Sequence, residues 1–279
     1  MSKRLVLALC VAGGGGGCGG GTAPVKGQPA AYVQPTVNDA MSPPTLGCVG
    51  SHADPAAPTA ATMLDLTVKD FEKSTVVAGA TVEVYTSLAH VNARTPDATS
   101  APTDAAGTSK IMMPAGSYRV IFRTFGAPMT IETLEFNRAF DDGARVSVSE
   151  TTRSEIPALL SLMPDDTKGV VAGSQRDCAE KELGGITVAM SSDGGSFDSA
   201  TNVFYFQDAG ATRVPSRGQK WTSGDGAYAA LNVPPGNATV TASGLVTDGG
   251  ALTRLGTAVV PVRAGSITIV QLEPLGAGQ

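Results

Sequence analysis

After residue 62 the chain repeats itself, and this repeat constrains the fold more than any other feature of the sequence. Four short blocks recur in the same order, and the distance between the copies, roughly 105–120 residues, is that of a whole domain rather than of a solenoid unit. The sequence therefore predicts two domains of similar fold, residues 63–150 and 169–275. The matched blocks are residues 64–70, 79–84, 103–107 and 114–120 in the first copy and residues 171–177, 185–190, 222–226 and 234–240 in the second.

The blocks have the alternation of β-strands. Val82 and Val84 flank Glu83, and the same alternation of apolar and polar residues recurs at residues 118–123 and 186–190. A period of two is typical of a strand that buries one face. Turn sequences rich in Asp, Pro and Gly separate the strands. The pattern predicts an all-β fold of antiparallel sandwiches.

Helical spacing of apolar residues occurs between the two copies. Ile156, Leu159, Leu160 and Met163 would form one apolar stripe on a helix. Residues 151–168 are therefore predicted to be a linker that contains a short helix.

The order Gly-Ala-Thr-Val, Thr-Asp-x-x-Gly and Pro-x-Gly-x-Tyr-x-Val resembles that of the carboxypeptidase regulatory-like domain. The resemblance covers residues 63–150 and 169–275, with Ala238 in place of the usual aromatic residue and an insertion at residues 191–220 in the second copy. It implies two tandem Ig-like or transthyretin-like β-sandwiches with an accessory role. It carries no catalytic residue that could be transferred to this chain.

The N-terminus has the composition of an export signal. Lys3 and Arg4 precede an apolar run, residues 5–12, which is too short to span a bilayer, and five glycines then lead to Cys18. The arrangement resembles the signal of a bacterial lipoprotein, although glycine replaces the usual aliphatic residue three positions before the cysteine. The resemblance implies removal of residues 1–17, palmitate on Cys18 and an outer-membrane lipoprotein that faces the periplasm or the cell surface. An ordinary secretory signal is the alternative, and both imply export.

Residues 18–62 have the composition of a disordered tether. The segment after Cys18 is rich in Gly and Ala and contains seven prolines, with almost no aliphatic periodicity. Such a segment buries too little apolar surface to offset its ordering entropy. Its length up to Cys48 corresponds to a root-mean-square span of about 30 Å, enough to hold a domain away from lipid headgroups.

The four cysteines divide by position. Cys10 lies in the apolar run and Cys18 is the acylation candidate, which leaves Cys48 and Cys178. In an oxidising compartment two remaining cysteines indicate one disulfide, and two unpaired buried thiols are the alternative. In the chain-entropy model, the loop that this disulfide closes would stabilise the folded protein by about 4–5 kcal/mol. The sequence contains no CxxC spacing, so neither a zinc knuckle nor a thioredoxin-like centre is supported. No metal site and no cofactor are expected.

Catalysis is not expected from this sequence. His52 and His90 are its two histidines, one in the tether and one in a polar loop, and it contains no HExxH, Gly-x-Ser-x-Gly or P-loop motif. The formal net charge of −5 is spread along the chain, so nucleic acid is not an expected partner. Attachment to a membrane would have to be covalent.

Aromatic residues of the second copy are the candidate ligand-binding group: Phe204, Tyr205, Phe206, Trp221 and Tyr228. Exposed aromatic faces stack on sugars or on partner side chains. In the alternative, the insertion packs on its own domain and Trp221 fills the core. The sequence thus predicts a non-enzymatic, envelope-anchored structural or interaction module with a protein or polysaccharide partner, and a glycan-binding module is the alternative function.

Overall fold

The computed structural model describes residues 36–37, 44–54, 56–116, 118–139, 144–209, 212–246 and 251–276. All of these residues belong to one unit, Tyr32–Gln279. The predicted signal peptide and Cys18 lie outside the described residues. In the described part the all-β prediction is confirmed, with short helices between strands.

The first half of the fold follows a short N-terminal strand and ends at residue 149. Alternating burial marks its strands, as the period of two predicted. In chain order the elements are β1 (Thr36–Val37), β2 (Thr62–Asp70), β3 (Thr81–Tyr85), α1 (Leu88–Ala93), β4 (Ala98–Thr99), β5 (Thr108–Met113), β6 (Arg119–Phe125), β7 (Thr130–Ile131), β8 (Thr133–Ala139) and β9 (Ala144–Ser149).

The second half begins after the predicted linker helix. Ser149 caps this helix, because its hydroxyl oxygen accepts a hydrogen bond from the Thr152 backbone N–H at 3.1 Å. The remaining elements are α2 (Glu150–Leu159), β10 (Gly169–Gln175), β11 (Leu183–Gly184), β12 (Thr187–Ser192), α3 (Ser199–Asn202), β13 (Val203–Ala209), β14 (Thr212–Ser216), β15 (Ala227–Val233), β16 (Gly236–Leu245), β17 (Leu252–Val262) and β18 (Ile267–Leu272).

The two halves share one plan of strand pairing. β2 pairs antiparallel with β5 and parallel with β9, and β10 pairs in the same way with β15 and β18. On the other side of each sandwich β6 lies between β3 and β8, and β16 lies between β12 and β17, all antiparallel. The repeat in the sequence therefore corresponds to a repeat in the structure.

Each half has its own apolar core between its two sheets. The positions that the repeat matched are buried in both halves, which follows from their equivalent places on the inner faces of the strands. These positions are Val82, Val84 and Val120 in the first half and Val188, Met190 and Val240 in the second.

A buried threonine makes the same contacts in each half. Thr103 and Thr222 come from the matched Thr-x-x-x-Gly blocks. In each half the hydroxyl oxygen accepts a hydrogen bond from a backbone N–H of the second block, and the hydroxyl proton is donated to a backbone carbonyl three residues before that N–H. These bonds join the third block to the second in both copies. The partners are Ala80 N at 2.9 Å and Val77 O at 2.7 Å around Thr103, and Ile186 N at 3.0 Å and Leu183 O at 2.9 Å around Thr222.

One sheet runs through both halves. β18 pairs in parallel with β8, from Ile267 opposite Thr133 to Val270 opposite Phe136. Among the described residues this produces a nine-stranded sheet in the order β14-β13-β15-β10-β18-β8-β6-β3-β4. The division into two domains stays a prediction, while the strand pairing joins the halves into one continuous layer.

The predicted insertion, residues 191–220, forms part of this sheet. It supplies α3 and the β13–β14 hairpin, which extends the sheet beyond β15. It is therefore a structural element as well as an enlarged connection.

The predicted apolar stripe on the linker helix is partly wrong. Ile156 and Leu160 pack against the protein, whereas Leu159 and Met163 are 61% and 85% exposed. Since α2 begins at Glu150 and ends at Leu159, the helical spacing does not continue to Met163, and Leu159 faces solvent at the last position of the helix.

Candidate functional site

The predicted disulfide between Cys48 and Cys178 is confirmed, with Cα atoms 5.9 Å apart. We call residues 44–54, fastened through this bond, the clasp. Backbone contacts reinforce it, because the Cys178 N–H donates to the Thr45 carbonyl at 2.8 Å and the Thr45 N–H donates to the Asp177 carboxylate at 2.9 Å. The clasp is thus held by one covalent bond and a matching pair of hydrogen bonds.

The clasp also contacts the C-terminal end of the described chain. The backbone N–H groups of Gly50 and His52 both donate to the Leu275 carbonyl, at 2.9 and 3.2 Å. His52 forms an isolated parallel bridge with Gly276, and β1 pairs with β11. The N-terminal segment is therefore fastened to the second half before the chain enters the first.

Charged and polar groups surround the disulfide. His52 Nδ1 lies 3.7 Å from the Cys48 sulfur, and His52 Nε2 lies 3.8 Å from the Asp54 carboxylate. The Asp54 carboxylate accepts a hydrogen bond from Arg119 Nε at 2.7 Å, and Arg119 Nη1 also contacts Glu273 Oε1 at 3.3 Å. Burial raises the pKa of Glu273, and the Arg119 charge offsets part of this effect. The chain of contacts links the disulfide to a buried carboxyl group.

A second polar cluster, the junction network, connects the two halves. Arg123 donates to Glu83 at 2.8 Å and to Glu132 at 2.9 Å, and Tyr85 donates its hydroxyl proton to Glu83 at 2.6 Å. Arg263 of the second half donates to Glu132 at 2.6 Å. Glu132 therefore bridges two arginines from different halves.

Protonation in the junction network follows from these contacts. Burial by itself raises the pKa of Glu132, but its hydrogen bonds with Arg123 and Arg263 outweigh burial and hold the pKa below its ordinary value. Burial, followed by the hydrogen bond to Glu83, raises the pKa of Tyr85 to about 12. At neutral pH the Glu132 carboxylate is therefore charged and the Tyr85 hydroxyl is neutral.

The five predicted aromatic site residues do not form one exposed group. Phe204, Tyr205 and Tyr228 are buried, while Phe206 and Trp221 are half-buried. Both faces of β13 are covered at Phe204 and Tyr205, in line with the alternative in which the insertion packs on its own domain. Phe204 packs on Leu160 and Leu231, whereas Tyr205 and Tyr228 lie in the core of the second half.

The buried tyrosine of β13 has a structural contact at a strand edge. The Tyr205 hydroxyl oxygen accepts a hydrogen bond from the Val188 backbone N–H at 2.8 Å. Burial raises the pKa of Tyr205, and the Val188 hydrogen bond offsets part of this effect. The Tyr205 hydroxyl thus satisfies a backbone group that β12 would otherwise leave unpaired.

Other candidate features are modest. A shallow surface depression is lined by residues that include Arg153, Asp165 and Lys168. His90 pairs with Asp97 at 2.9 Å on the surface of the first half. In the described ranges there is no group of three or more His, Cys, Asp or Glu side chains placed to hold a metal ion. Nor does the described chain contain a helix with the length and apolar character needed to cross a membrane.

No family model and no curated protein match this chain. Among solved structures it is similar to the TIE protein of Bacillus anthracis, at 14% identity and a TM-score of 0.23, over 77% of this chain and 34% of that one. It is also similar to the shaft pilin SpaA of Lactobacillus rhamnosus GG, at 11% identity and a TM-score of 0.23, over 77% and 98% of the two chains. The minor pilin GBS52 of Streptococcus agalactiae gives 11% identity and a TM-score of 0.23 over the same shares. The chain spans about a third of the TIE protein chain that it matches.

Proposed function

We propose that this protein is an exported, non-enzymatic structural or interaction module that a lipid on Cys18 holds at the cell envelope. The observation that carries the proposal is the clasp. Disulfides persist in oxidising, extracytoplasmic compartments, and this one joins Cys48, within the segment predicted to be a tether, to Cys178 in the folded body. The disulfide accords with the export signal and gives the tether a fixed attachment point.

The body has the properties of a rigid spacer or display module. The nine-stranded sheet of the described residues crosses from one half to the other, and Arg263 and Glu132 form an ion pair across the same junction. Relative motion of the halves would break backbone hydrogen bonds between β8 and β18 as well as this ion pair. A partner would therefore meet two sandwiches in a fixed arrangement.

Fractionation of two cysteine variants tests the anchor. In an envelope-containing bacterial host, Cys18→Ser should move the protein from the membrane fraction to the soluble exported fraction and abolish incorporation of labelled palmitate. Cys10→Ser is the matched control, because Cys10 lies in the segment that cleavage would remove, and it should leave both properties unchanged. Membrane retention of the Cys18→Ser protein would refute the lipid anchor.

A glycan-binding function is a second proposal. It depends on Phe206 and Trp221, the two predicted aromatic residues that are only half-buried. Ser223 donates a hydrogen bond to the Phe206 carbonyl, so the segment that carries Trp221 runs beside β13. Trp221 is the single tryptophan of the chain, so its fluorescence reports this position alone. Soluble polysaccharides should shift that fluorescence, and Phe206→Ala should weaken retention on polysaccharide gels while Phe71→Ala, a change at an exposed phenylalanine of the first half, should not. Unchanged fluorescence with every polysaccharide, and equal retention of the two variants, would reject this function.

A further inference from the structure

We propose that the Cys48–Cys178 disulfide is a thiol-exchange site. In this proposal a dithiol reductant attacks the Cys178 sulfur, Cys48 is the leaving sulfur, and His52 stabilises the thiolate that forms there. The exchange does not depend on whether Cys18 is acylated.

The two sulfur atoms have different surroundings, which sets the direction of attack. His52 Nδ1 lies 3.7 Å from the Cys48 sulfur, within reach of a hydrogen bond to a thiolate. The Cys178 sulfur instead accepts a hydrogen bond from the Cys48 backbone N–H at 3.1 Å. A leaving sulfur departs faster when its thiolate is better stabilised, and a neighbouring imidazolium is among the strongest stabilisers of a thiolate. Departure of Cys48 is therefore favoured over departure of Cys178.

The ring of His52 is placed to carry a positive charge during this step. His52 Nε2 is buried and has no hydrogen-bond partner within the described residues, and the Asp54 carboxylate lies 3.8 Å away. Asp54 is itself fixed by Arg119 at 2.7 Å. When the Cys48 thiolate forms, a protonated His52 lies between two negative groups, with Nδ1 directed to the sulfur and Nε2 to the carboxylate.

The residues of the disulfide are not enclosed by the fold. Both cysteines are half-buried rather than enclosed, and Thr45, Gly47 and Gly50 beside them in the clasp are exposed. Thiol exchange requires in-line approach to one sulfur, so partial exposure is sufficient for a small or protein dithiol.

The exchange balances in two steps. A thiolate of the dithiol attacks the Cys178 sulfur, a new S–S bond forms, and the bond to Cys48 breaks with its electron pair left on Cys48. The second thiolate of the dithiol then attacks the reductant sulfur of this mixed disulfide, closes the disulfide of the reductant and releases Cys178 as a thiolate. The dithiol loses two electrons and two protons, and the protein gains both electrons; one proton is shared between Cys48 and the His52 imidazole, and the released Cys178 thiolate takes up the other from water.

Opening the bond would remove the covalent attachment of the clasp and leave the cores of both halves intact. The remaining contacts of residues 44–54 include the backbone hydrogen bonds of Gly50 and His52 to Leu275 and the pair between Thr45 and residues 177–178. None of the core residues of either half comes from the clasp, and Leu46 and Val49 pack at the margin of the second core. The reaction therefore removes the covalent attachment of the N-terminal segment and leaves the packing of both sandwiches in place.

The rate of reduction tests the role of His52. In the full chain with Cys10→Ser and Cys18→Ser, so that no other thiol reacts, dithiothreitol is added and the free thiols are trapped and counted by mass. His52→Gln should lower the second-order rate constant about tenfold, and Asp54→Asn should lower it less. His90→Gln is the matched control, the same substitution at the second histidine of the chain, and it should leave the rate unchanged.

The identity of the attacked sulfur is tested separately. A brief reaction with glutathione, quenched by alkylation and mapped by peptide mass, should show glutathione on Cys178 and the alkyl group on Cys48. Equal rates for His52→Gln and the parent would overturn the proposal, and so would glutathione found mainly on Cys48. The oxidised variants should have the same urea unfolding midpoint as the parent. If His52→Gln shifts that midpoint, the rate comparison is made with Asp54→Asn instead. An unchanged rate of reduction in Asp54→Asn would then overturn the role of His52 and Asp54.

Discussion

The two halves of the protein pair their strands in the same way but cover them differently. In the first half, Met63 and Met112 lie opposite each other on β2 and β5 and are 51% and 48% exposed. On the equivalent sheet of the second half, Leu160 and Phe204 close the outer face, and both are buried. The repeated blocks thus determine the sandwich, whereas the linker and the insertion determine what its surface presents.

The outer edges of β3 and β12 are also protected by different segments in the two halves. In the first half Ser100, next to β4, bonds the Val82 backbone through its hydroxyl oxygen and its own N–H, at 3.0 and 2.8 Å. In the second half Ser199 of the insertion does this for Met190, where its hydroxyl accepts from the N–H at 2.8 Å and donates to the carbonyl at 2.7 Å. An unpaired strand edge is a site for unwanted pairing. Different segments therefore perform the same protective role.

Removal of the disulfide should have the largest effect on stability. The Cys48→Ser/Cys178→Ser variant should lose about 4–5 kcal/mol of unfolding free energy, because the bond closes a loop that contains the whole first half. Urea denaturation followed by both Trp221 fluorescence and far-UV circular dichroism measures the loss. Coincident transitions would indicate that the halves unfold together, while two separated transitions would contradict the cooperative junction.

The contrast between covered and open outer faces should appear in the stability of two variants with a side chain shortened to alanine. Phe204→Ala should cost about 3–5 kcal/mol because it leaves a cavity under α2. Met63→Ala, on the open face of the first half, should change stability by less than about 0.5 kcal/mol. Thermal unfolding of the two variants measures the difference, and similar losses would mean that the face of the second half is not closed as described.

The repeated threonine provides a test of equivalence between the halves. Thr103→Val and Thr222→Val should each cost about 1–3 kcal/mol, since each leaves a buried N–H and a buried carbonyl without the hydroxyl. Thr130→Val is the control outside the repeat, because it removes one half-buried hydrogen bond, from the hydroxyl to the Ala127 carbonyl at 2.8 Å, and it should cost less than either matched variant. A loss confined to one of the two matched variants, measured by urea denaturation, would show that the contacts are equivalent in geometry but not in energy.

The junction network should give the smallest effect, and it should depend on pH. The pKa of Glu132 is lower in the folded protein than its ordinary value, so the unfolded chain binds more protons and stability falls as the pH falls through the folded pKa. Arg263→Gln should cost about 1 kcal/mol at neutral pH and flatten this acid dependence. Denaturation between neutral pH and pH 3 measures it, with Arg254→Gln, at an exposed arginine of β17, as the control. An unchanged acid dependence in Arg263→Gln would contradict the role of the ion pair between the halves.

The positions of the strands within each half were predictable because they depend on local pattern, whereas the parallel pairing of β2 with β9 and of β10 with β18 was not predicted. Alternation at Val82 and Val84, and turn residues such as Gly107 and Gly226 with φ near +70°, fix strands and reversals from neighbouring residues alone. The disulfide followed from the compartment and from the positions of the other cysteines. These inferences needed no knowledge of distant contacts.

The contacts between the halves could not be read from the sequence in the same way. The parallel pairing of β8 with β18 joins Thr133 to Ile267, and no local signal marks which edges will meet. The same limit applies to Phe204. If β13 buried one face only, Phe204 would be exposed, but a separate segment that ends at Leu160 covers it. The contact of His52 with the Cys48 sulfur is local, but the pairing of Cys48 with Cys178 joins segments 130 residues apart.

The clasp also determines how mechanical tension would pass through the molecule. A pull on the N-terminal segment reaches Cys48 and crosses directly to Cys178, which lies 130 residues further along the chain. The first sandwich, including β2, lies in a closed covalent loop beside this path, so its strands are shielded from the force. Only after the sulfur bond opens would the same pull load β2 and peel the first sheet from its end.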